Sequence, residues 1–487
     1  MRPTLRLLDG PLADRILAEA RDILASLGVE IHHDGVLGLL ADHGAEVDLA
    51  SRRARLPATL VDRALASAPR SFRLFDRQGE PTHDFSGWNV HYTPGSAAIR
   101  ILDGATGELR APVTADYVRY AKLVAGLPHL AAQSTAFIPA DVPAAISDSY
   151  RLFLSLLFGE KPVVTGAFTA EAFAVMRDLL VVARGSEAAL RERPLALFTC
   201  CPTSPLQWSE STVSNLVDCA RAGIPVEVVA VPFSGFLAPV TLVGTLVQHA
   251  AENLSGVVIG QLAAPGMPML WGCSAAIFDI RTETAPLGAV ETMMLACAAN
   301  EVGRRLGLPT QAYIALSDAK ALDAQAGLET GSGAVLAALA GVNSVSGPGM
   351  LDLENAQSLE KLVVDNEACG MALRLVAGVE PRDDFPARPL MDELLREKHL
   401  LIAAHTRRHL ASQIRFPGPV IDRASEARWR EEGALPLRAR AAREVERLAA
   451  AWHPARLGSG EKQALVERME AAAREAGMDA LPARDEA

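Results

Sequence analysis

The sequence predicts an α/β protein built on a (β/α)8 barrel, with an N-terminal helical extension and a C-terminal helical tail. Short apolar, β-branched runs recur through the middle of the chain and lack polar alternation, as strands covered on both faces do. The starts of these runs lie about 30 to 43 residues apart, which is the length of a strand–helix unit. No two runs are joined by a two-residue hairpin turn, which favours parallel strands with right-handed crossovers.

Seven strands are predicted from these runs, and an earlier run near 90–101 supplies an eighth. The seven runs are 131–138, 162–167, 195–201, 225–231, 268–274, 310–316 and 342–347. Seven or eight parallel strands favour a closed barrel over an open sheet. A doubly wound open sheet is the alternative, although no GxGxxG motif follows the first strand.

The segments between the runs have helical spacing of their apolar residues. They are 144–158, 171–184, 209–222, 241–262, 288–306, 322–340 and 361–379. Thr169 and Ser209 are predicted N-caps, and Gly223 is a predicted C-cap.

Three parts are predicted along the chain. Residues 1–85 form a helical cap with helices at 11–27, 34–43 and 57–68, and residues 86–380 form the barrel. Residues 381–487 form a C-terminal helical extension, which begins with a Pro-rich linker and continues as a long polar helix that contains His399, His405 and His409. These histidines are interpreted as structural residues and not as metal ligands.

The composition excludes several classes of protein. The 487 residues carry a net charge of −11 and show no basic groove, which argues against nucleic-acid binding. No uninterrupted apolar stretch reaches the length of a membrane span, and no signal peptide is visible at the N-terminus. Six cysteines lack zinc-type spacing and are interpreted as reduced thiols, which predicts a cytoplasmic protein. Long apolar helices and a tail rich in His and Arg favour a homo-oligomer.

One ordered set of segments is more particular than a generic barrel. It consists of GSAAIRILDGATGELR at 95–110, CPTSPLQWS at 201–209, PFSGFLAPVTLVGTLVQHAAE at 232–252, SDAKALDAQAGLE at 317–329, LAGVNSVSGPGMLD at 339–352 and SLEKLVVDNE at 358–367. This order resembles the trimethylamine methyltransferase family over roughly residues 10–455.

The resemblance implies a (β/α)8 barrel that passes a methyl group from a methylated amine to the Co(I) corrinoid (cobalamin) of a separate small protein. The archetypal members carry pyrrolysine and use trimethylamine. No such residue is written here, so the chain resembles the branch whose characterised members use quaternary amines such as glycine betaine. A quaternary nitrogen already carries positive charge, so positioning, desolvation and charge complementarity suffice for transfer. We therefore expect no metal, and a corrinoid supplied by the partner.

The loop after the sixth predicted strand holds the main site candidates, because barrel enzymes place chemistry at the carboxyl ends of strands. The family has a similar polar loop, which matches at Ser317, Asp318, Lys320, Asp323, Gln325 and Glu329. Asp318 is predicted to face the cationic nitrogen, and Lys320 to bind a substrate carboxylate, with Gln325 and Glu329 beside them. The alternative is a helix N-cap with acids in its first turn.

Further candidates lie at other strand ends. Gln311 and Tyr313 alternate on the sixth strand, and an inward polar residue such as Gln311 is a candidate for catalysis. Tyr92 and Tyr313 are predicted walls of an aromatic cage for a methylated ammonium group. Ser204 is a candidate for substrate contact, with the start of a helix as the alternative.

Gly347 and Gly349 follow the last predicted strand, where a small-residue rim admits a flat corrin ring, and a bare turn is the alternative. No Lys lies in a predicted strand, which disfavours a Schiff-base lyase. A non-catalytic amine-binding or regulatory protein of the same fold remains the second functional hypothesis.

Overall fold

The computed structural model describes residues 1–484, apart from the side chain of Ala170, so the last three residues of the predicted C-terminal part lie outside the described range. Within residues 1–484, no helix has the length and apolar character that crossing a membrane requires. All six cysteines are free, and five of them are buried.

The N-terminal part combines helices with short strands. Its elements are α1 (Gly10–Ser26), β1 (Val29–Ile31), α2 (Asp34–Asp42), β2 (Glu46–Asp48), β3 (Arg53–Arg55), α3 (Ala58–Ser67), β4 (Arg73–Phe75) and β5 (Pro81–Asp84). The three helices were predicted within a residue or two. The strands were not, because runs of three or four residues are too short to show a period of two.

Strands and helices then alternate through the first half of the central part. In chain order they are β6 (His91–Thr93), β7 (Arg100–Leu102), β8 (Leu109–Arg110), α4 (Thr114–Ala125), β9 (Gln133–Ser134), α5 (Ala144–Phe158), β10 (Val163–Thr165), α6 (Ala170–Arg184), α7 (Glu187–Glu192), β11 (Ala196–Cys200), β12 (Gln207–Trp208) and α8 (Glu210–Ala222). The side chains of Thr169 and Ser209 cap α6 and α8, and Gly223 ends α8 in the left-handed conformation, as predicted.

The second half continues the alternation. Its elements are β13 (Val226–Ala230), β14 (Phe233–Ser234), α9 (Leu242–Ala263), β15 (Met269–Cys273), β16 (Ala276–Ile277), α10 (Val290–Arg305), β17 (Gln311–Tyr313), α11 (Ala324–Ala340), β18 (Ser344–Ser346), β19 (Met350–Leu351), β20 (Ala356–Gln357) and α12 (Leu359–Val376).

The principal strands of the central part are parallel. One sheet has the order β15-β13-β11-β10-β9, and a second has the order β17-β18-β6. Two isolated parallel bridges, Trp271 with Thr310 and Tyr92 with Leu130, link the ends of these sheets. Each of the eight strands therefore has a parallel neighbour on both sides, and the fold is α/β with parallel sheets, as the sequence predicted.

The hairpin of β4 and β5 packs against the inner side chains of these strands. Leu74 and Phe85 form a buried cluster with strand residues Val164, Leu197 and Leu270. Leu197 and Leu270 are the second residues of their strands, so this apolar cluster lies toward the amino ends. The inner polar residue Glu227 lies outside this apolar cluster, although it is also the second residue of its strand and pairs with Leu270.

Between residues 381 and 484, the C-terminal part contains five helices: α13 (Arg388–Glu397), α14 (Ala404–Gln413), α15 (Glu426–Glu431), α16 (Leu437–Ala450) and α17 (Ser459–Glu475). The single long polar helix predicted across the three histidines is wrong. Lys398 takes a left-handed conformation with φ 63° and ends α13, which leaves His399 between two shorter helices. No residue of α13 or α14 is buried, whereas α16 packs on α12 and α17 packs on α6.

Candidate functional site

The loop after β17 is held by Glu329, which lies in the second turn of α11. One carboxylate oxygen of Glu329 accepts hydrogen bonds from the Ser317 hydroxyl at 2.5 Å and from the Asp318 backbone amide at 2.9 Å. The other oxygen accepts from the Gln325 side-chain amide at 2.9 Å. Asp323 caps α11 by accepting from the amides of Gln325 and Ala326. The helix-cap alternative therefore holds for Asp323, while Gln325 and Glu329 fix the loop.

Asp318 joins this loop to the loop that follows β15. Its two carboxylate oxygens accept hydrogen bonds from backbone amides, one from Leu287 at 3.0 Å and the other from Gly288 at 2.8 Å. Burial, and secondarily the charge of Glu329, raises the pKa of the Asp318 carboxyl, while the two amides oppose the rise. Asp318 thus orders two loops at the carboxyl ends of neighbouring strands, and its predicted contact with a substrate cation stays a prediction.

Lys320 lies on the outer side of the same loop. Its ammonium group donates to the carbonyl oxygen of Asp318 at 2.7 Å and lies 3.7 Å from a carboxylate oxygen of Asp352. The Lys320 side chain is 60% exposed, so its charge is available to a ligand that enters from solvent.

Gln311 and Tyr313 are both buried on β17. The side-chain oxygen of Gln311 accepts from the Cys273 amide at 3.3 Å, and its side-chain nitrogen is buried without a hydrogen-bond partner among the described residues. Burial raises the pKa of the Tyr313 hydroxyl well above its usual value, and the charges of Glu227 and Glu354 raise it further. Tyr313 is therefore within electrostatic range of two carboxyl groups that come from other parts of the chain.

Glu227, on β13, is the first of these and was not predicted as a site residue. Its Oε1 accepts from the Thr199 hydroxyl at 2.6 Å, and its Oε2 is buried without a partner among residues 1–484. Burial raises the pKa of the Glu227 carboxyl to about 7, although the Thr199 hydrogen bond acts in the opposite direction. A glutamate inside an apolar strand run, in the segment PVEVVAV, was the signal in the sequence.

Glu354 is the second unpredicted carboxyl group, on the turn between β19 and β20. Asp352, Leu353 and Glu354 have φ values of 51°, 57° and 70°, a left-handed backbone that costs about 1 kcal/mol or more per non-glycine residue. Oε1 of Glu354 is buried without a partner among the described residues, although other atoms of the residue are partly exposed. Burial, with the charge of Asp318, raises the pKa of the Glu354 carboxyl to about 8.

Four acidic residues, Glu227, Glu354, Asp318 and Glu329, are called the carboxyl cluster here because their charges act on one another or on Tyr313. Glu227 and Glu354 act on Tyr313, Asp318 acts on Glu354, and Glu329 acts on Asp318. A buried carboxylate oxygen without a partner costs free energy unless a ligand supplies a donor or a positive charge. Two such oxygens, Oε2 of Glu227 and Oε1 of Glu354, have the chemistry that a positively charged group would compensate. Among the described residues, the group able to hold a metal ion lies elsewhere, at Asp383, His405 and His409.

Tyr92 does not lie with this cluster, so its predicted role as a cage wall is not supported by its position. Its hydroxyl donates to the carbonyl of Ala334 on α11 at 2.7 Å, and the ring is fully buried. Because successive residues of a strand point to opposite faces, Tyr92 points to the helix layer and His91 and Thr93 point inward.

Ser204 is also engaged in a structural contact. Its hydroxyl donates to Glu252 on α9 at 2.8 Å, and the other carboxylate oxygen of Glu252 accepts from the Leu206 amide at 3.0 Å. Glu252 therefore holds the turn that leads into β12 and α8, and Ser204 is part of that turn, while α8 itself begins after the cap Ser209.

The two glycines predicted to line a corrin site are required by packing. A Cβ atom at Gly347 would lie 2.2 Å from the carbonyl oxygen of Ile314. Gly349 has φ 89°, and a Cβ there would lie 2.0 Å from the Gln357 side chain. The bare-turn alternative is sufficient for both positions.

Exposed apolar residues on the strand-to-helix segments of the central part, here called the apolar rim, were not predicted as site residues. The apolar rim comprises five exposed residues on segments that follow β10, β13, β15 and β17: Phe168, Phe236, Val240, Ile280 and Leu328. Phe236 stacks on Phe278 with ring centroids 4.7 Å apart. Exposed apolar groups around an opening are typical of surfaces that bind a partner or a large apolar ligand.

The fold and these residues together define an α/β protein of parallel strands, with acidic groups on a strand and on the loops at strand ends, where barrel enzymes place their sites. The model of the trimethylamine methyltransferase (MTTB) family matches residues 1–478. The chain therefore belongs to the trimethylamine methyltransferase family.

Individual relatives agree with this assignment. The trimethylamine methyltransferase MttB of Methanosarcina thermophila is 30% identical over 428 residues, which cover 86% of this chain and 87% of the relative. The MttB of Desulfitobacterium hafniense is 28% identical over 87% of this chain and 85% of its own length. The glycine betaine methyltransferase of Desulfitobacterium hafniense is 27% identical over 88% of this chain and 89% of its own length.

A solved structure shows the same fold. The monomethylamine methyltransferase MtmB of Methanosarcina barkeri superposes with a TM-score of 0.54 over 91% of this chain and 89% of its own, at 10% sequence identity. Identity this low supports the fold alone.

Proposed function

We propose that this chain moves a methyl group from a quaternary or tertiary methylated amine, such as glycine betaine, to the Co(I) corrinoid of a separate partner protein. The observation that carries the proposal is the pair of buried, unpartnered carboxyl oxygens, Oε2 of Glu227 and Oε1 of Glu354, on two residues whose charges both act on Tyr313. A methylated ammonium group satisfies them by charge, and the tyrosine ring face binds the methyl groups.

The cluster also positions the amine for transfer. A quaternary ammonium group has no N–H donor, so charge and shape must orient it, and buried carboxylates act strongly where water is excluded. Asp318 and Glu329 hold the loops around the cluster, and a zwitterionic substrate would place its carboxylate outward, toward Lys320. When bound, the corrinoid supplies the nucleophile that accepts the methyl group.

The apolar rim fits the partner better than the two predicted glycines do. Phe168, Phe236 and Ile280 offer an apolar border to a flat macrocycle or to the protein that carries it. The amine would then lie between the rim and the carboxyl cluster. The corrinoid would be supplied by the partner, and no metal is assigned to the methyl-transfer site.

The remaining structural expectations extend the proposal. The parallel pairing on both sides of all eight strands supports closure into a (β/α)8 barrel, with residues 1–85 and 381–487 outside it. Exposed Leu395, Leu401 and Ile402 support homo-oligomer formation, which light scattering would measure. Six unpaired cysteines support a cytoplasmic location.

Methylation of cob(I)alamin, followed by its absorbance, tests the function directly. The purified chain is mixed with cob(I)alamin, free or on a small corrinoid protein, and with glycine betaine, choline, carnitine or trimethylamine. Methyl transfer from at least one amine is expected. Tight binding of an amine without any transfer would instead indicate the non-catalytic alternative, a binding or regulatory protein of the same fold.

A further inference from the structure

Three potential metal ligands converge in the C-terminal part, on elements that contribute nothing to the carboxyl cluster. Asp383 lies in the linker before α13, and His405 and His409 lie on α14. One ligand atom from each residue lies within 4.8 Å of the other two. Since residues four apart share one face of a helix, both imidazoles point to the same side of α14.

Individual contacts define the arrangement more closely. Nε2 of His405 lies 3.8 Å from Oδ1 of Asp383 and 3.9 Å from Oδ1 of Asp384. Nε2 of His409 contacts the same Oδ1 of Asp383, and the two imidazole centroids are 4.8 Å apart. Nε2 of His405 is buried and has no hydrogen-bond partner among the described residues.

Arg408 acts on the far side of the same carboxylate. Its guanidinium contacts Oδ2 of Asp383, so Oδ1 is the oxygen that faces the two imidazoles. Carboxylate ligands of metals are commonly held in this way by a hydrogen bond to the second oxygen. The positive charge of Arg408 also limits affinity, which argues for a moderate site and not a very tight one.

We propose that Asp383, His405 and His409 bind one divalent transition-metal ion of the Zn²⁺ type, with Asp384 or water completing its coordination. Two imidazole nitrogens and a carboxylate oxygen suit Zn²⁺, Co²⁺ or Ni²⁺, whereas Ca²⁺ and Mg²⁺ prefer oxygen ligands alone. Ligands of tetrahedral Zn²⁺ lie about 2.0–2.1 Å from the ion and therefore about 3.3 Å from one another. On binding, Nε2 of His405 would approach Oδ1 of Asp383, and Nε2 of His409, which now contacts that oxygen, would move away from it.

The ion would have a structural effect on this part of the chain. Its ligands come from the linker and from α14, so binding closes the loop that contains α13. Because α13 and α14 bury no residue, the metal would be a principal restraint on their position. In the sequence analysis the histidines were interpreted as structural. The carboxylate ligand could not be recognised there because Asp383 lies in the linker, 22 positions before His405.

Calorimetry on the full chain, purified without a polyhistidine tag and treated with a chelator, tests the proposal with ZnCl₂ as the probe. One equivalent per chain is expected to bind. His405→Ala/His409→Ala should weaken binding by at least about a hundredfold, since loss of a ligand exceeds the tenfold to hundredfold effect of losing an outer-shell partner. His399→Ala, which lies between α13 and α14 and outside the group, is the matched control and should bind as the parent does.

Tryptic cleavage, a Co²⁺ spectrum and one further variant test the same metal site independently. Zn²⁺ should slow tryptic cleavage after Lys398 in the parent and not in the double variant, and Asp383→Asn should reproduce the loss of binding if the double variant folds poorly. Co²⁺ should give a visible spectrum that requires His405 and His409. Absence of saturable binding in the parent, or equal affinity in the double variant, would overturn the assignment.

Discussion

The hydroxyl of Thr199 donates to Oε1 of Glu227 at 2.6 Å, and this contact leaves Oε2 of the same carboxyl group buried and unpartnered. The two residues are direct neighbours in the pairing of β11 with β13, so the backbone register fixes the orientation of the carboxyl group. The fold thus sets the direction of the unpartnered Oε2. The charge of the Glu227 carboxylate raises the pKa of Tyr313.

Replacing Glu227 by Gln is expected to weaken binding of a quaternary amine by at least about tenfold, because it removes a buried negative charge opposite the cation. The amide is nearly isosteric and keeps an oxygen for Thr199, so the fold should be retained. Isothermal calorimetry with glycine betaine and with choline measures the effect. Glu291→Gln, at an exposed glutamate in the first turn of α10, is the control and should bind both amines as the parent does.

The same substitution should stabilise the protein at alkaline pH. The folded-state pKa of Glu227 is raised from 4.5 to about 7, so the parent loses stability as the pH rises from about 4.5 through 7. At about 1.4 kcal/mol per pKa unit, the free energy of unfolding of Glu227→Gln relative to the parent should rise by about 3 kcal/mol across that window. Urea unfolding of the parent and the variant at about pH 5 and about pH 8, near and beyond the two ends of this pH window, measures the change. If the free energies of unfolding of the variant and the parent differ by the same amount at both pH values, the pKa of Glu227 is not raised in the folded protein.

Affinity for a permanently charged amine should increase with pH. The free protein holds Glu227 and Glu354 partly protonated, with pKa values of about 7 and about 8, and the cation binds the ionised forms. The Kd should therefore fall roughly tenfold between about pH 6 and about pH 8 from Glu227 alone, with release of protons on binding. Calorimetry in buffers of different ionisation enthalpy detects that release, and Glu227→Gln should reduce it. A Kd independent of pH would contradict a role for these carboxyl groups.

Lys320→Ala is expected to weaken binding of a carboxylated amine and to leave its carboxylate-free analogue nearly unaffected. The ammonium group is 60% exposed, so the effect should be about fivefold or less, the range of solvent-exposed ion pairs. Glycine betaine and choline form the matched pair of ligands. Equal losses for both would mean that Lys320 supports the loop through the Asp318 carbonyl and does not bind substrate.

Phe236→Asp should impair transfer to the corrinoid on its carrier protein more than transfer to free cob(I)alamin. Phe236 is 63% exposed and stacks on Phe278, so a charge there disrupts the rim without opening the core. The KM for the carrier protein should rise, while amine affinity should remain that of the parent. Phe385→Asp, at an exposed phenylalanine of the C-terminal linker, is the control. A higher KM in that variant as well would locate the docking surface elsewhere.

Much of the architecture was available from the sequence because local physics determines it. Buried parallel strands require continuous apolar runs, and helix ends require caps such as Thr169, Ser209 and Gly223, so these signals are visible without tertiary contacts. The polar loop from Ser317 to Glu329 was also visible, because it follows a strand in a fold whose sites lie at strand ends.

The direction of each side chain was not available in the same way. Tyr92 was predicted to face a ligand, yet the alternation of its short strand turns it toward Ala334 in the helix layer. Glu354 comes from a turn with left-handed backbone that no residue pattern announces. The charge of its carboxyl group acts on Tyr313 only because parts of the chain that are distant in sequence are brought together.

The sequence by itself determined the fold class, the family and the loop that borders the site. Periodicity, capping and ordered motifs are local properties, and each is written into a short stretch of chain. The tertiary structure alone decided which carboxyl groups are buried without partners, as for Glu227 and Glu354, and which candidates are used in packing, as for Ser204 and Gly347. Desolvation and hydrogen-bond satisfaction depend on every neighbour that packs around a group, and those neighbours come from strands and loops far apart in the chain.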